Sequence, residues 1–178
     1  LVSCAADTQG ALGWQIQQAL DNALRRRGIP DAVGKTVTVV TQVEVDPGDP
    51  AFKDPGKPVG EFYDNDQLPL LKHQHPDWIL KKDANRGWRR VVPSPKPKRI
   101  VEKEAVSILI DEGFNVVTVG GGGIPVVNVN GDLKGVDAVI DKDFATTLLA
   151  TAIGAPLMII STGVRRVSLH FGTPEETP

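Results

Sequence analysis

Short runs of β-branched residues alternate along much of this chain with segments of helical period. That alternation argues for an α/β fold, a mostly parallel central sheet flanked by helices. Leu12, Ile16, Ala19, Leu20 and Ala23 recur at the three-and-four spacing of one buried helical face. Asp7 or Thr8 can cap the start of this helix, Arg25 to Arg27 suit its negative end, and Gly28 can end it. A strand is expected over Thr36 to Val45. Later come a helix from Arg99 to Glu112, with Ile100, Val101, Ile108 and Leu109 inward, and a short strand from Asn115 to Val119. Val126 to Val129 reads as a strand that turns at Asn130-Gly131. A helix from Lys142 to Ile153 is capped by Asp141 and closed by Gly154. Leu157 to Ser161 reads as another buried strand, and Val167 to Phe171 as one more.

Residues 46–97 interrupt the pattern. Prolines fall at 47, 50, 55, 58, 69, 76, 93, 95 and 97, and no long period survives. A structureless stretch of that length is unusual inside a compact domain. The expectation is a small protruding subdomain of hairpins and one short helix, with Phe52, Phe62, Tyr63, Trp78 and Trp88 as its core. The whole chain, residues 1–178, then reads as a single partial domain carrying that subdomain and its return segment.

The bulk numbers exclude several classes. A net charge of -2 with 24% charged residues leaves no footprint for nucleic acid. Arg86, Arg89, Arg90 and the cluster Lys96 to Arg99 read as solvated surface. No apolar run approaches the ~20 residues that span a bilayer, and no signal peptide is visible. One cysteine, Cys4, excludes an internal disulfide and suits a reducing compartment such as the cytoplasm. The first residue is Leu1 and the single methionine is Met158, so the chain is expected to be part of a longer one.

Three groups of residues point to chemistry. Gly120, Gly121, Gly122 and Gly123 directly follow an apolar strand. Glycines there let backbone N–H groups approach an anion beyond the carboxyl end of a strand. A tight turn explains some of them, but four exceed what a turn requires. The run matches neither the P-loop nor the dinucleotide fingerprint. In Asp141-Lys142-Asp143 a lysine opposes the positive end of a helix dipole, which is tolerable where it serves a phosphate drawn to that end. Either aspartate can cap the helix or hold Mg²⁺, and one cap with two solvated charges explains the triplet equally well. Lys57 lies between glycine and proline on both sides, as a clamp on a phosphoryl group could. From the residues alone a surface turn is the plainer reading. His73, His75 and His170 show no metal-ligand spacing, so no residue is assigned to a metal, and Ser94 has no partners for a triad.

Taken in order, several stretches resemble the carbamate kinases. They are Thr8-Gln9-Gly10, Val39 to Val43, Asp49 to Lys53, Lys57 to Gly60, Arg86 to Pro97, Gly120 to Val126, and Leu133 to Ala145. The blocks Trp88 to Pro97 and Ile140 to Phe144 are specific to that family, whereas other amino-acid kinases share only the fold and some glycine loops. The resemblance implies an amino-acid kinase-like fold with a protruding subdomain over the active site. It implies a homodimer that uses Mg²⁺ to move a phosphoryl group between ATP and carbamate, giving ADP and carbamoyl phosphate. By position, Lys57 resembles the subdomain lysine that reaches over substrate, and Lys142 the lysine on the transferring group. Asp141 and Asp143 resemble the acidic pair that orients Lys142 or serves the metal. Gly120 to Gly123 resemble a glycine run lining the site, and Thr162, Gly163 and Val164 the start of the adenine-side segment.

The chain departs from the family pattern at Asp7, Asn85 and Arg165. Family members also begin earlier, with two glycine-asparagine loops, and continue beyond the position of Pro178. The expectation is therefore a central portion that is inactive when confined to residues 1–178. The competing readings are a non-catalytic fragment that keeps fold or dimer contacts, and another amino-acid kinase.

Overall fold

The computed structural model describes residues 1–83, 86–163, 168–170 and 173–177. Helix α1 spans Val2–Arg26, so Asp7 and Thr8 lie inside it rather than at its cap. Gly28, at φ 67°, follows its last turn. The buried stripe is not the expected one. Gln9 and Gly13 are buried, whereas Leu12 and Ile16 are exposed. The reason is how closely the helix seats. A Cβ built on Gly13 would stand 2.2 Å from Thr38 Cγ2, so the axis approaches the sheet through a residue without a side chain. Gln17 accepts a hydrogen bond from Thr38 one turn further on.

The strand expected over residues 36–45 is two strands, β1 (Thr36–Thr38) and β2 (Gln42–Val45). The break falls at Val39 to Thr41, where the Gln9 side chain pairs with the Thr41 backbone. β1 runs parallel to β7 (Asn115–Val117). β2 runs parallel to β8 (Ile124–Val129), with Gln42 opposite Ile124. β6 (Pro97–Ile100) joins the other side of β2 antiparallel, and β9 (Asp132–Gly135) joins β8 antiparallel. Asn130 and Gly131 both take positive φ between β8 and β9, the hairpin geometry that this dipeptide favours. Parallel pairing thus lies at β1–β7 and β2–β8, inside a mixed α/β architecture. The core gathers Val43, Val45, Ile100, Val106, Val119, Val127, Ile140, Ala145 and Leu149.

Residues 57–92 form a separate antiparallel sheet, ordered β3 (Lys57–Tyr63), β5 (Trp88–Val92), β4 (Ile79–Lys82). The short helix α2 (Leu68–Gln74) lies between β3 and β4. The expected aromatic core is not a dry one. Arg86 and Arg89 cover the Phe62 ring at 4.9 and 4.8 Å, and Arg90 covers Trp78 at 4.8 Å. Trp78 also stacks on His75, and Trp88 donates to Asn65. Phe52 packs instead against the main core. Guanidinium groups thus cap rings that a small sheet cannot enclose. The buried positions here are Val91 and Val92.

Helix α3 spans Lys103–Asp111, shorter than expected because Arg99 and Ile100 are taken into β6. Val106 is its buried residue, while Ile108 and Ile110 are exposed. Gly113, at φ 79°, ends it. Helix α4 spans Lys142–Ala152, with Asp141 at its N-cap. Residues 157–161 are not a buried strand. Leu157 and Ile159 are 72% and 81% exposed, and no strand among the described residues pairs with them. An apolar run becomes a buried strand only where a neighbour supplies both ladder and cover. Leu169 forms an isolated bridge with Thr177. Val167 and Phe171, the ends of the last expected strand, lie outside the described residues, as do Asn85, Val164 and Arg165. No helix among the described residues is long and apolar enough to cross a membrane.

The seating of α1 predicts opposite effects at two of its glycines. Gly13→Ala should lower unfolding free energy by about 1–3 kcal/mol through overpacking. Gly10→Ala meets nothing within 4 Å and should raise it by up to about 1 kcal/mol. Urea unfolding of the two variants checks this, and equal shifts would mean that α1 does not pack through Gly13.

Candidate active site

Between Val117 and Ile124 the chain leaves the sheet for six residues, while its parallel neighbour passes from Thr38 to Gln42 in three. The surplus is the glycine turn. It starts at Val119, a β-branched residue held left-handed at φ 55°, ψ 28°, a strain of about 1–3 kcal/mol. Gly122 donates to Val119 O and Gly123 to Gly120 O, which closes the turn on itself. Packing forces most of the glycines. A Cβ would stand 2.3 Å from Ile140 O at Gly122 and 2.2 Å from Val43 Cγ2 at Gly123. At Gly120 it would crowd Gln9 Cγ at 3.1 Å. Gly121 differs, being exposed at φ 65° with nothing within 4 Å of the missing Cβ. A cleft of about 230 Å³ opens beside it, lined by Cys4, Thr8, Gly120, Gly121, Gly123 and Ile140 among others.

The turn is held by a buried polar network. Gln9 Oε1 accepts from Thr41 N at 2.8 Å, and Gln9 Nε2 donates to Thr41 O at 3.2 Å. The Thr41 hydroxyl lies 2.9 Å from Val39 O, 2.8 Å from Thr118 Oγ1 and 3.1 Å from Val119 N. One hydroxyl has one proton and two lone pairs. All three bonds are made when Thr41 donates to Val39 O and accepts from Thr118 and from the Val119 N–H. The sequence carries only faint signs of this role. Gln9 sits on the inner side of α1, and Thr41 looks like any β-branched strand residue.

The N-terminus of α4 packs beside the glycine turn. Asp141 caps it, Oδ1 accepting from Asp143 N at 2.9 Å. Its other oxygen, Oδ2, accepts from Lys57 Nζ at 3.1 Å. The two side chains are 39% and 33% exposed. Lys57 is the first residue of β3, in register with Val92, so a strand, rather than a surface turn, aims it at α4. Burial works to raise the Asp141 pKa. The Lys57 hydrogen bond, the Asp143 and Phe144 amides and the Lys57 charge outweigh it, and the carboxyl titrates below the ordinary carboxylate value. Lys142 is largely exposed, its Nζ 3.7 Å from Asp143.

The fold thus brings together Lys57, Asp141, Lys142, Asp143 and Gly120 to Gly123. Thr162 and Gly163 lie exposed after α4 and line neither cleft beside the glycine turn, and Val164 is outside the described residues. No cluster of three or more His, Cys, Asp or Glu side chains that could hold a metal occurs among the described residues. Asp143 has a 54% exposed side chain, with Oδ1 3.7 Å from Lys142 Nζ. Mg²⁺ takes one or two carboxylates and completes its shell with phosphate oxygens and water, a demand that Asp143 fits.

A depressed carboxylate adds stability that is full above its unfolded pKa and is lost as pH falls through the folded one. Asp141→Asn keeps a capping oxygen but loses the charge. It should cost up to about 1 kcal/mol near neutrality, small because the pair is part-exposed. That gap should close as pH drops below about 4. Asp141→Ala also removes the cap and should cost about 1 kcal/mol more. Thermal unfolding across pH checks both variants, and a gap that persists at low pH would place the effect elsewhere.

No protein-family model matches the chain. Curated relatives and solved structures do. The carbamate kinase-like protein YahI of Escherichia coli (strain K12) is 54% identical over 177 residues, 99% of this chain and 55% of that protein. The carbamate kinase of Pyrococcus horikoshii is 50% identical over 172 residues, 97% of this chain and 54% of that one. The structure of carbamate kinase from Giardia lamblia bound to AMP-PNP superposes with a TM-score of 0.83 at 43% identity. It covers 99% of this chain and 55% of that chain. The chain spans about half the length of the relatives it matches, and over that span it is similar, in sequence and in fold, to the carbamate kinases.

Proposed function

We propose that this chain serves reversible phosphoryl transfer between ATP and carbamate. A carbamate oxygen forms a bond to the γ-phosphorus as the bond to the ADP oxygen breaks, giving ADP and carbamoyl phosphate. The observation that carries the reading is the Lys57–Asp141 contact across 84 residues of chain. It sets a cation from the second sheet at the helix N-terminus beside the glycine turn. Phosphoryl transfer asks a protein mainly for positioning and charge stabilisation, and these residues can provide both. Lys57 has three donors, and Asp141 takes one. Residues 46–97 act as an arm whose closure over substrate excludes water and brings the remaining donors to it.

Lys142 and the exposed backbone at Gly121 face the charge that builds on the phosphoryl oxygens. Asp143 orients Lys142 and would hold Mg²⁺, which when bound would neutralise charge on the phosphate oxygens. Thr162, Gly163 and Val164 serve the nucleotide's adenine side. We further propose that the protein acts as a homodimer in the cytoplasm, within arginine metabolism, and binds neither nucleic acid nor membrane. The 46–97 arm and the rest of the chain are one functional domain.

The test is ATP formation from ADP and carbamoyl phosphate by the protein as its reading frame encodes it. Lys142→Ala should lower turnover by about 10²–10³-fold, the usual loss for one preorganised donor to a developing charge. Its melting temperature should hold, since removing a lysine from a first helical turn relieves a dipole conflict. Lys142→Arg should rescue poorly, because a planar fork does not replace a compact ammonium. Absence of turnover in the unsubstituted protein would sink the activity, and full turnover in the alanine variant would sink the role of Lys142.

A further inference from the structure

Gln9, Thr41 and Thr118 touch nothing that reacts, yet they determine where the glycine turn stands. Val119 is fixed from two directions. Its side chain is buried in the main core, and its amide donates to the Thr41 hydroxyl at 3.1 Å. Between those anchors the backbone must take a left-handed conformation that a β-branched residue avoids. Thr41 is held in turn. The Gln9 amide pairs with both of its backbone groups, and the Thr41 carbonyl also accepts from Ile124 N at the start of β8. Gln9 also meets the turn directly, its Cγ lying where a Gly120 Cβ would come within 3.1 Å. A relaxed Val119 would rotate the next peptides and re-aim the one exposed glycine, Gly121.

We propose that Gln9, Thr41 and Thr118 are positioning residues that hold Val119 left-handed and so aim the Gly120–Gly123 backbone at a phosphoryl group. The proposal rests on the phosphoryl-transfer reading for what the turn faces, and on the hydrogen bonds alone for what holds it. It separates two roles within the glycine run. Gly122 and Gly123 are small because Ile140 and Val43 press on them, whereas Gly121 is the position left open to a ligand. The network's effect should fall on the chemical step, since the nucleotide's adenine side lies on other residues.

The decisive variants are Thr41→Val, which keeps the shape and removes the hydroxyl, and Thr41→Ser, which keeps the hydroxyl. Losing the hydroxyl leaves the Val119 N–H and the Thr118 hydroxyl without their partner. In Thr41→Val, amide exchange at 119–123 should quicken about 10-fold or more. Turnover should fall about 10- to 100-fold, while KM for the nucleotide stays within about twofold. Thr41→Ser should restore both. Unchanged exchange in Thr41→Val overturns the proposal. So do equal losses in both variants that follow melting temperature, which would mark a merely structural role. If the unsubstituted protein shows no turnover, the phosphoryl-transfer reading falls, and exchange alone decides whether the network holds the turn. Should Thr41→Val not fold, Thr118→Val decides. Exchange at the turn quickened about threefold at unchanged melting temperature supports the network, and unchanged exchange overturns it.

Discussion

A side-chain amide that pairs with the backbone at the break between two strands is the interaction on which the rest of this structure depends. Where β1 passes into β2, Thr41 is fully buried, and its N–H bonds to the Gln9 side chain. A buried peptide left without partners costs free energy comparable to a lost hydrogen bond. Gln9 meets that cost from α1 and ties the helix to the break in the sheet. The break leaves room for six residues to loop out between β7 and β8. The glycine turn, the cleft beside it and the seating of α4 all follow from that excursion.

The charges at the turn are arranged so that each tolerates the others. Asp141 alone would be a cap of ordinary kind. With Lys57 on its second oxygen it also ties the β3–β5–β4 sheet to α4, which the fold otherwise joins through the segments at 46–56 and 93–97. Val139 N donates to Pro93 O, which ties 93–97 to the main body, and Lys96 N donates to Asp49, which ties the two segments to each other. The ion pair is part-exposed and adds little stability. Its consequence is geometric, because it fixes which lysine stands at the helix N-terminus. Lys142, one residue along, stays exposed.

Apolar surface in this chain does not follow apolar pattern closely. Leu12 and Ile16 face a second cleft with Val39 and Val117 rather than the core. Ile108 and Ile110 on α3 and Leu157 and Ile159 beyond α4 are also exposed. On α1 and α3 the pattern correctly marks a helix, whereas the strand expected at 157–161 does not form. The pattern does not say which side is covered, because cover comes from another element. On α1 a glycine and a glutamine, neither apolar, took the inner face because the helix must come very close to Thr38.

The α/β class, the cap at Asp141, the stops at Gly28 and Gly113, and the Asn130-Gly131 hairpin are legible in the sequence, because local backbone preference decides each of these. So are the segments that carry the resemblance to the carbamate kinases, and hence Lys57, Lys142 and the glycine run as residues to watch. Packing in three dimensions, by contrast, brings Lys57 to Asp141, makes Gly122 and Gly123 small while Gly121 stays open, and sets Gln9 and Thr41 against the turn. The Gln9–Thr41 and Lys57–Asp141 contacts join residues 32 and 84 positions apart. Such distances are closed by the burial of a shared core and leave no periodic trace along the chain.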